Sequence, residues 1–128
     1  MPATIQRRNT RQRQLVLDAV TGRCDHPTAE EVYTEVRQRD PKISRGTVYR
    51  NLNLLSDEGT ILTVHVPGGN RFDLRTDNHS HVMCRRCGAV VDAPVTYNAH
   101  ADKEAARATG YVVESHGTVF LGLCPNCR

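Results

Sequence analysis

Two CxxC pairs, Cys84 with Cys87 and Cys124 with Cys127, limit what this chain can fold into more than any other feature. Each short turn aims two sulfurs at one point, and four soft thiolates suit a tetrahedral structural zinc. Thirty-six residues lie between the pairs, more than the roughly 15–20 of a compact zinc ribbon. The metal should therefore tie the C-terminal end of the chain to its middle. Two disulfides are the competing use of these cysteines, but no hydrophobic signal segment opens the chain, and paired CxxC in that setting favours metal. With 128 residues, 38% hydrophobic content, no Trp and two Phe, the cores are thin, so a metal staple would have a stability role. Cys24 is left over and reads as a buried thiol, its neighbours Arg23, Asp25 and His26 giving no clear bias toward thiolate.

The first CxxC closes a stretch, residues 72–92, that is dense in ligands: FDLRTDNHSHVMCRRCGAVVD. His79 and His81 are separated by one residue and point to the same side of an extended segment. Asp73 lies six residues before His79, and Asp92 five after Cys87. Such hard oxygen ligands shift the preference from zinc toward iron or manganese. Spacing alone leaves two readings open for the HxH pair, a metal site and a solvated loop.

Taken in order, the chain opens with Arg7, Arg8, Arg11 and Arg13 among its first thirteen residues, no acid among them, against a net charge of +3. Local basicity of this kind suits phosphate contact or an ordinary solvated tail. Leu15, Val16, Ala19 and Val20 recur at helical spacing, which predicts a helix from Thr10 to Val20 with Thr10 as its N-cap. Thr28 with Glu31 is a capping box for a second helix through Val32, Tyr33 and Val36. His26, in the turn before it, reads as a polar loop residue on spacing alone. Ser44 begins a third helix, with Val48, Leu52 and Leu55 on one face and Gly59 as its stop. Its other face carries Arg45, Thr47, Tyr49, Arg50 and Asn51, residue types that suit the major groove: Arg forks onto guanine and Asn pairs with adenine. ILTVHV and NRFDLR around PGGN read as a hairpin, and three helices followed by a hairpin make a winged helix, whose third helix enters the groove. Beyond the metal stretch come a short strand at GAVVDA, a helix over residues 98–109 stopped by Gly110, and a second hairpin from YVVES and TVFLGL. The expected fold class is α+β: a winged-helix DNA-binding domain over residues 1–72, then a small α/β dimerisation domain with the four-cysteine zinc site over residues 73–128. A sheet face or edge on so small a second domain invites pairing with another copy.

No apolar run approaches the roughly twenty residues of a membrane span, so a cytoplasmic protein without a membrane partner is expected. A thiol oxidoreductase using CxxC would need a βαβ context that the chain lacks, and zinc-bound thiolates resist turnover. A zinc-ribbon module that binds protein and not DNA is the other competing class, and salt-dependent binding to a palindrome would argue against it.

The motifs HPTAEEVY, GTVYRNL, RFDLRTDNHSH, CRRCG and CPNC, in that order, resemble the ferric uptake regulator family of metal-dependent repressors from Thr10 to Cys127. The resemblance implies a homodimer that binds a palindromic DNA operator, is no enzyme and takes no small organic substrate. It implies a regulatory Fe(II) or Mn(II) site at His26, Asp73, His79, His81 and Asp92, a structural zinc at Cys84, Cys87, Cys124 and Cys127, and DNA contacts from Arg11, Arg13, Arg45, Thr47, Tyr49 and Arg50. The iron-uptake branch typically has Glu where this chain has Asp73 and Asp92, and HHDH where it has Asn78, His79, Ser80 and His81. Both departures look like the peroxide-sensing branch, in which iron-bound peroxide oxidises a ligating histidine, here His79 or His26. An iron- or zinc-level sensor on the same fold is the alternative. A third family metal site is expected to be absent, since Asn78 and Ser80 replace two of its usual ligands; His116 remains and His100 is nearby.

Overall fold

The computed structural model describes residues 2–23 and 25–128, with side chains described for 9–23 and 25–128. Cys24 and the side chains of Arg7 and Arg8 lie outside the described residues. The chain forms two compact units, Met1–Thr76 and Asp77–Arg128.

In the first unit, α1 (Pro2–Thr21), α2 (Ala29–Arg39) and α3 (Arg45–Asp57) are followed by the antiparallel hairpin β1 (Leu62–Val66) and β2 (Gly69–Asp73). This is the winged-helix arrangement. Asp73, where the sequence places the start of the second domain, is the last residue of β2. The helix ends follow local chemistry. Thr28 Oγ1 accepts from the Glu31 amide at 3.1 Å while the Glu31 carboxylate accepts from the Thr28 amide, also at 3.1 Å, closing the capping box. Ser44 caps α3 through the Thr47 amide, and beyond the C-cap Glu58 the chain leaves the helix through Gly59 at φ +79°. The expected start of the first helix is corrected. Thr10 is no cap, and α1 runs back to Pro2, because Gln6, Arg7 and Arg8 are good helix formers and Pro is tolerated in a first turn, although no apolar period marks them. The buried faces of the three helices meet in one cluster: Val16, Ala19, Val20, Val32, Val36, Ile43, Val48, Leu52, Leu55, Ile61 and Phe72.

The second unit is a three-stranded sheet in the order β4 (Val90–Ala93), β3 (Ser80–Cys84), β5 (Val119–Gly122), with α4 (Ala99–Thr109) between β4 and β5 in sequence. Asn98 caps α4, and Gly110 ends it in the left-handed conformation at φ +77°. The expected second hairpin is not formed. Residues 111–115 take no strand, Tyr111 and Val112 are exposed, and β5 pairs parallel with β3. The alternation in YVVES suggested a strand, but among the described residues β5 takes β3 as its neighbour instead. The unit's interior is meagre: Ser80, His81, Cys84 and Val90 are its buried residues among those described.

Candidate metal centres and nucleic-acid surface

The four cysteines predicted to hold zinc are brought together at the ends of β3 and of the chain. Their Sγ atoms all lie within 4.8 Å of one another. A tetrahedron of about 2.3 Å Zn–S bonds has edges near 3.8 Å, and Cys87 Sγ is 3.8 Å from Cys124 Sγ. All four thiols are free, the state in which they can ligate a shared metal as thiolates. The Cys87 amide donates to Cys84 Sγ at 3.4 Å, and amide donors from Cys87, then Cys124, pull the Cys84 thiol down to about 5. Cys127, beside the sulfur of Cys124, is pushed up to about 12. Four thiols this crowded are relieved by one soft divalent cation in place of their protons, and the donor set fits zinc.

In the same unit, sheet register builds half of the second predicted site. His81 on β3 stands directly opposite Asp92 on β4, a pairing that brings side chains within reach, and His81 Nε2 is 3.4 Å from Asp92 Oδ1. His79, just before β3, places its Nε2 3.0 Å from the same oxygen, and the two rings are 4.4 Å apart. His79 Nδ1 lies 2.7 Å from the Asp77 carbonyl oxygen. A carbonyl only accepts, so Nδ1 carries a proton, and that bond aims Nε2 at the carboxylate. This is the usual support of a metal-ligating histidine, its far nitrogen donating to a carbonyl. Sequence spacing found the two histidines but had no signal for the Asp77 carbonyl.

In the first unit, His26 and Asp73 are paired across 47 residues of chain, His26 Nε2 lying 3.1 Å from Asp73 Oδ2, with the imidazole buried. His26 sits at φ +56°, the sole non-glycine residue with positive φ among those described. That strain, of order 1 kcal/mol, is held by β2. Arg71 donates to the His26 carbonyl at 3.2 Å, and the Phe72 amide donates to the Pro27 carbonyl at 3.0 Å. Composition marked His26 as a loop residue; only this fastening shows why it is presented on the strand end that bears Asp73.

The exposed face of α3 carries Arg45, Tyr49 and Arg50, as expected. Between α1 and α3 runs a polar groove of about 600 Å³, whose walls include Arg11, Gln12, Lys42, Thr47, Arg50 and Asn51. Thr47 and Asn51 are partly committed within the helix: Thr47 Oγ1 is 2.8 Å from Ser44 Oγ, and Asn51 donates to the Thr47 carbonyl at 2.9 Å. Arg11 lies 3.6 Å from Asp40, and Arg13 pairs with Glu58 at 2.6 Å, a hydrogen bond that raises the guanidinium pKa. Glu30 and Glu58, the acids that engage these cations, were not singled out in the sequence, because 15 and 45 residues separate them from Arg45 and Arg13.

His116 and His100 join neither metal set. His116 Nδ1 is 2.6 Å from Asp102 Oδ1 and stacks on Tyr97, whose hydroxyl donates to the other Asp102 oxygen, while His100 pairs with Glu104 along α4 at 2.8 Å. No helix among the described residues is long and apolar enough to cross a membrane.

A model of the ferric uptake regulator family matches residues 4–120. The peroxide-responsive repressor PerR of Staphylococcus saprophyticus is 34% identical over 122 residues, covering 94% of this chain and 82% of the relative. The corresponding repressor of Staphylococcus aureus is 33% identical over the same shares of the two chains. Among solved structures, the Campylobacter jejuni peroxide stress regulator superposes with a TM-score of 0.76 at 27% identity, over 99% of this chain and 96% of the other. The Helicobacter pylori ferric uptake regulator, described as having three functional metal binding sites, superposes with a TM-score of 0.75 at 25% identity, over 91% and 79%.

Proposed function

The chain belongs to the ferric uptake regulator family, whose members are transcriptional regulators and not enzymes, and from that premise we propose that this one is a peroxide-sensing repressor. It binds palindromic operator DNA as a homodimer, holds a structural zinc at Cys84, Cys87, Cys124 and Cys127, and takes Fe(II) or Mn(II) at His26, Asp73, His79, His81 and Asp92. The observation that carries this reading is the convergence of His79 Nε2 and His81 Nε2 on one Asp92 oxygen, at 3.0 and 3.4 Å. It is a mixed nitrogen and oxygen donor set of the kind that suits iron and manganese. His26 and Asp73, paired at 3.1 Å in the first unit, are the donors that membership of the family adds to this reading.

The peroxide branch is favoured by Asp at positions 73 and 92 and by the peroxide-responsive relatives. Fe(II) held there would activate hydrogen peroxide: the two electrons that peroxide takes would come from a ring C–H of His79 or His26, one oxygen ending on that carbon and the other leaving as water, with the iron's oxidation state unchanged overall. The protein's part is to keep each imidazole placed and its ligating lone pair turned inward, as the Asp77 carbonyl does for His79. An oxidised ring is a poorer donor, so the ligand set loosens. A metal acts on the protein only through its differential affinity for the DNA-competent state, and weaker ligation releases that bias.

Arg45, Tyr49 and Arg50 on α3, with Arg11 and Arg13 on α1, are the proposed DNA contacts. Exposed Val91, Phe120 and Leu121 on β4 and β5 supply apolar area for a second copy.

The test loads zinc-containing protein anaerobically with Fe(II) or Mn(II), adds dilute hydrogen peroxide and maps peptides by mass spectrometry. One added oxygen on the peptide holding His79 or His26, with iron only, is the expected result. Unmodified histidines with both metals would replace this reading with an iron- or zinc-level sensor on the same fold.

A further inference from the structure

Arg45, one of the cations on α3, does not stand ready in solution. Arg45, the first residue of the helix, directs Nε to both carboxylate oxygens of Glu30, at 3.0 and 3.2 Å, and Nη2 to Oε1 at 2.5 Å. Tyr49, one helical turn further along, donates its hydroxyl to Oε2 of the same carboxylate at 3.1 Å. The other side of the guanidinium is covered by Tyr33, its carbon 4.6 Å from the ring centroid. One carboxylate in the first turn of α2 thus holds two of the residues that the DNA-binding reading needs.

This contact does little for the fold. The Arg45 and Glu30 side chains are 57% and 53% exposed, and ion pairs of that exposure contribute little to stability. Its geometry has another consequence. A carboxylate and a phosphate present the same two-oxygen edge to a guanidinium, so Glu30 fills in the unbound protein the place that a DNA phosphate would take. Sequence-independent affinity comes from such phosphate contacts. A cation already neutralised within the protein contributes less to it, and a carboxylate on that face repels the DNA backbone. A site that seats the whole helix offers base edges together with phosphates, and so can displace the carboxylate.

Resting on the DNA-binding reading above, we propose that Glu30 is a specificity-determining residue: an internal anion that engages Arg45 and Tyr49 and withholds them from non-operator DNA. Glu30 makes no base contact itself in this role. It lowers the background against which the operator is recognised.

The experiment compares the zinc-replete, Mn(II)-loaded wild type with Glu30→Gln, Glu35→Gln, Arg45→Gln and the Glu30→Gln/Arg45→Gln double variant. Fluorescence anisotropy is read across a salt series on a random-sequence duplex and on a duplex enriched from a random library by the wild type. Glu35 is a charge control on the same helix, its contact being Arg23 at 3.9 Å. Glu30→Gln should bind the random duplex about fivefold tighter, with a log–log salt slope steeper by about 0.9, the value for one added phosphate contact. Its affinity for the enriched duplex should change less, so the ratio of the two falls. Glu35→Gln should leave the ratio unchanged, and adding Arg45→Gln to Glu30→Gln should cancel the gain. The proposal is overturned if Glu30→Gln binds random DNA no tighter than wild type, if it weakens binding to both duplexes, or if Glu35→Gln produces the same gain. Wild type that binds no duplex at all would overturn the DNA-binding reading as well, a result distinct from any of these.

Discussion

At the level of single residues, the proposed metal ligands of the second unit converge on one oxygen. Asp92 Oδ1 faces both His79 and His81, and His81 is buried. His81→Ala removes one donor and leaves the four-cysteine cluster untouched. Since losing an outer partner of a metal ligand commonly costs 10–100-fold in affinity, losing the ligand should cost Mn(II) affinity at least about 100-fold. Titration calorimetry would read that loss, while zinc content stays at one per chain. A variant that binds Mn(II) like the wild type would remove His81 from the site. The spacing of His79 and His81 puts both on one side of an extended chain but leaves a metal site and a solvated loop open. Spacing gave His26 no role, because its place depends on a left-handed backbone held by Arg71 and Phe72 on a distant strand.

At the scale of elements, the helix ends were the most legible parts of the chain. The Thr28 and Glu31 capping box, the Ser44 cap and the Gly59 and Gly110 stops appear where short-range chemistry places them, because each depends on residues within one turn. Thr28→Ala deletes the oxygen that accepts from the Glu31 amide and should lower the stability of the first unit by about 1 kcal/mol. Urea unfolding, followed at amides of α2 and α3, would detect it. An unchanged midpoint would mean that the cap contributes nothing to this unit. The start of α1 and the fate of residues 111–115 were misread for opposite reasons: helix preference carried α1 back beyond its apolar period, whereas strand preference did not make a strand of 111–115.

At the scale of the whole molecule, the two units stand on different physics. Eleven buried hydrophobic residues cluster in the first, whereas the second has a sparse interior and four sulfurs within 4.8 Å of one another. Removing zinc with a chelator under reducing conditions should therefore abolish hydrogen-exchange protection in β3, β4 and β5 and leave it in α3. Protection retained in β3 of fully zinc-free protein would show that the sheet stands without its staple. Legible from neighbours along the chain were three helices and a wing, two CxxC turns, the HxH pair and the residue types able to ligate metal. Encounters between distant residues came only with the fold: His81 opposite Asp92, His26 against Asp73, β5 alongside β3, and Glu30 forked onto Arg45. The physical reason is that caps and turns are settled by bonds that close within a few residues, while register, parallel pairing and ion pairs between helices follow from how whole elements bury their apolar faces.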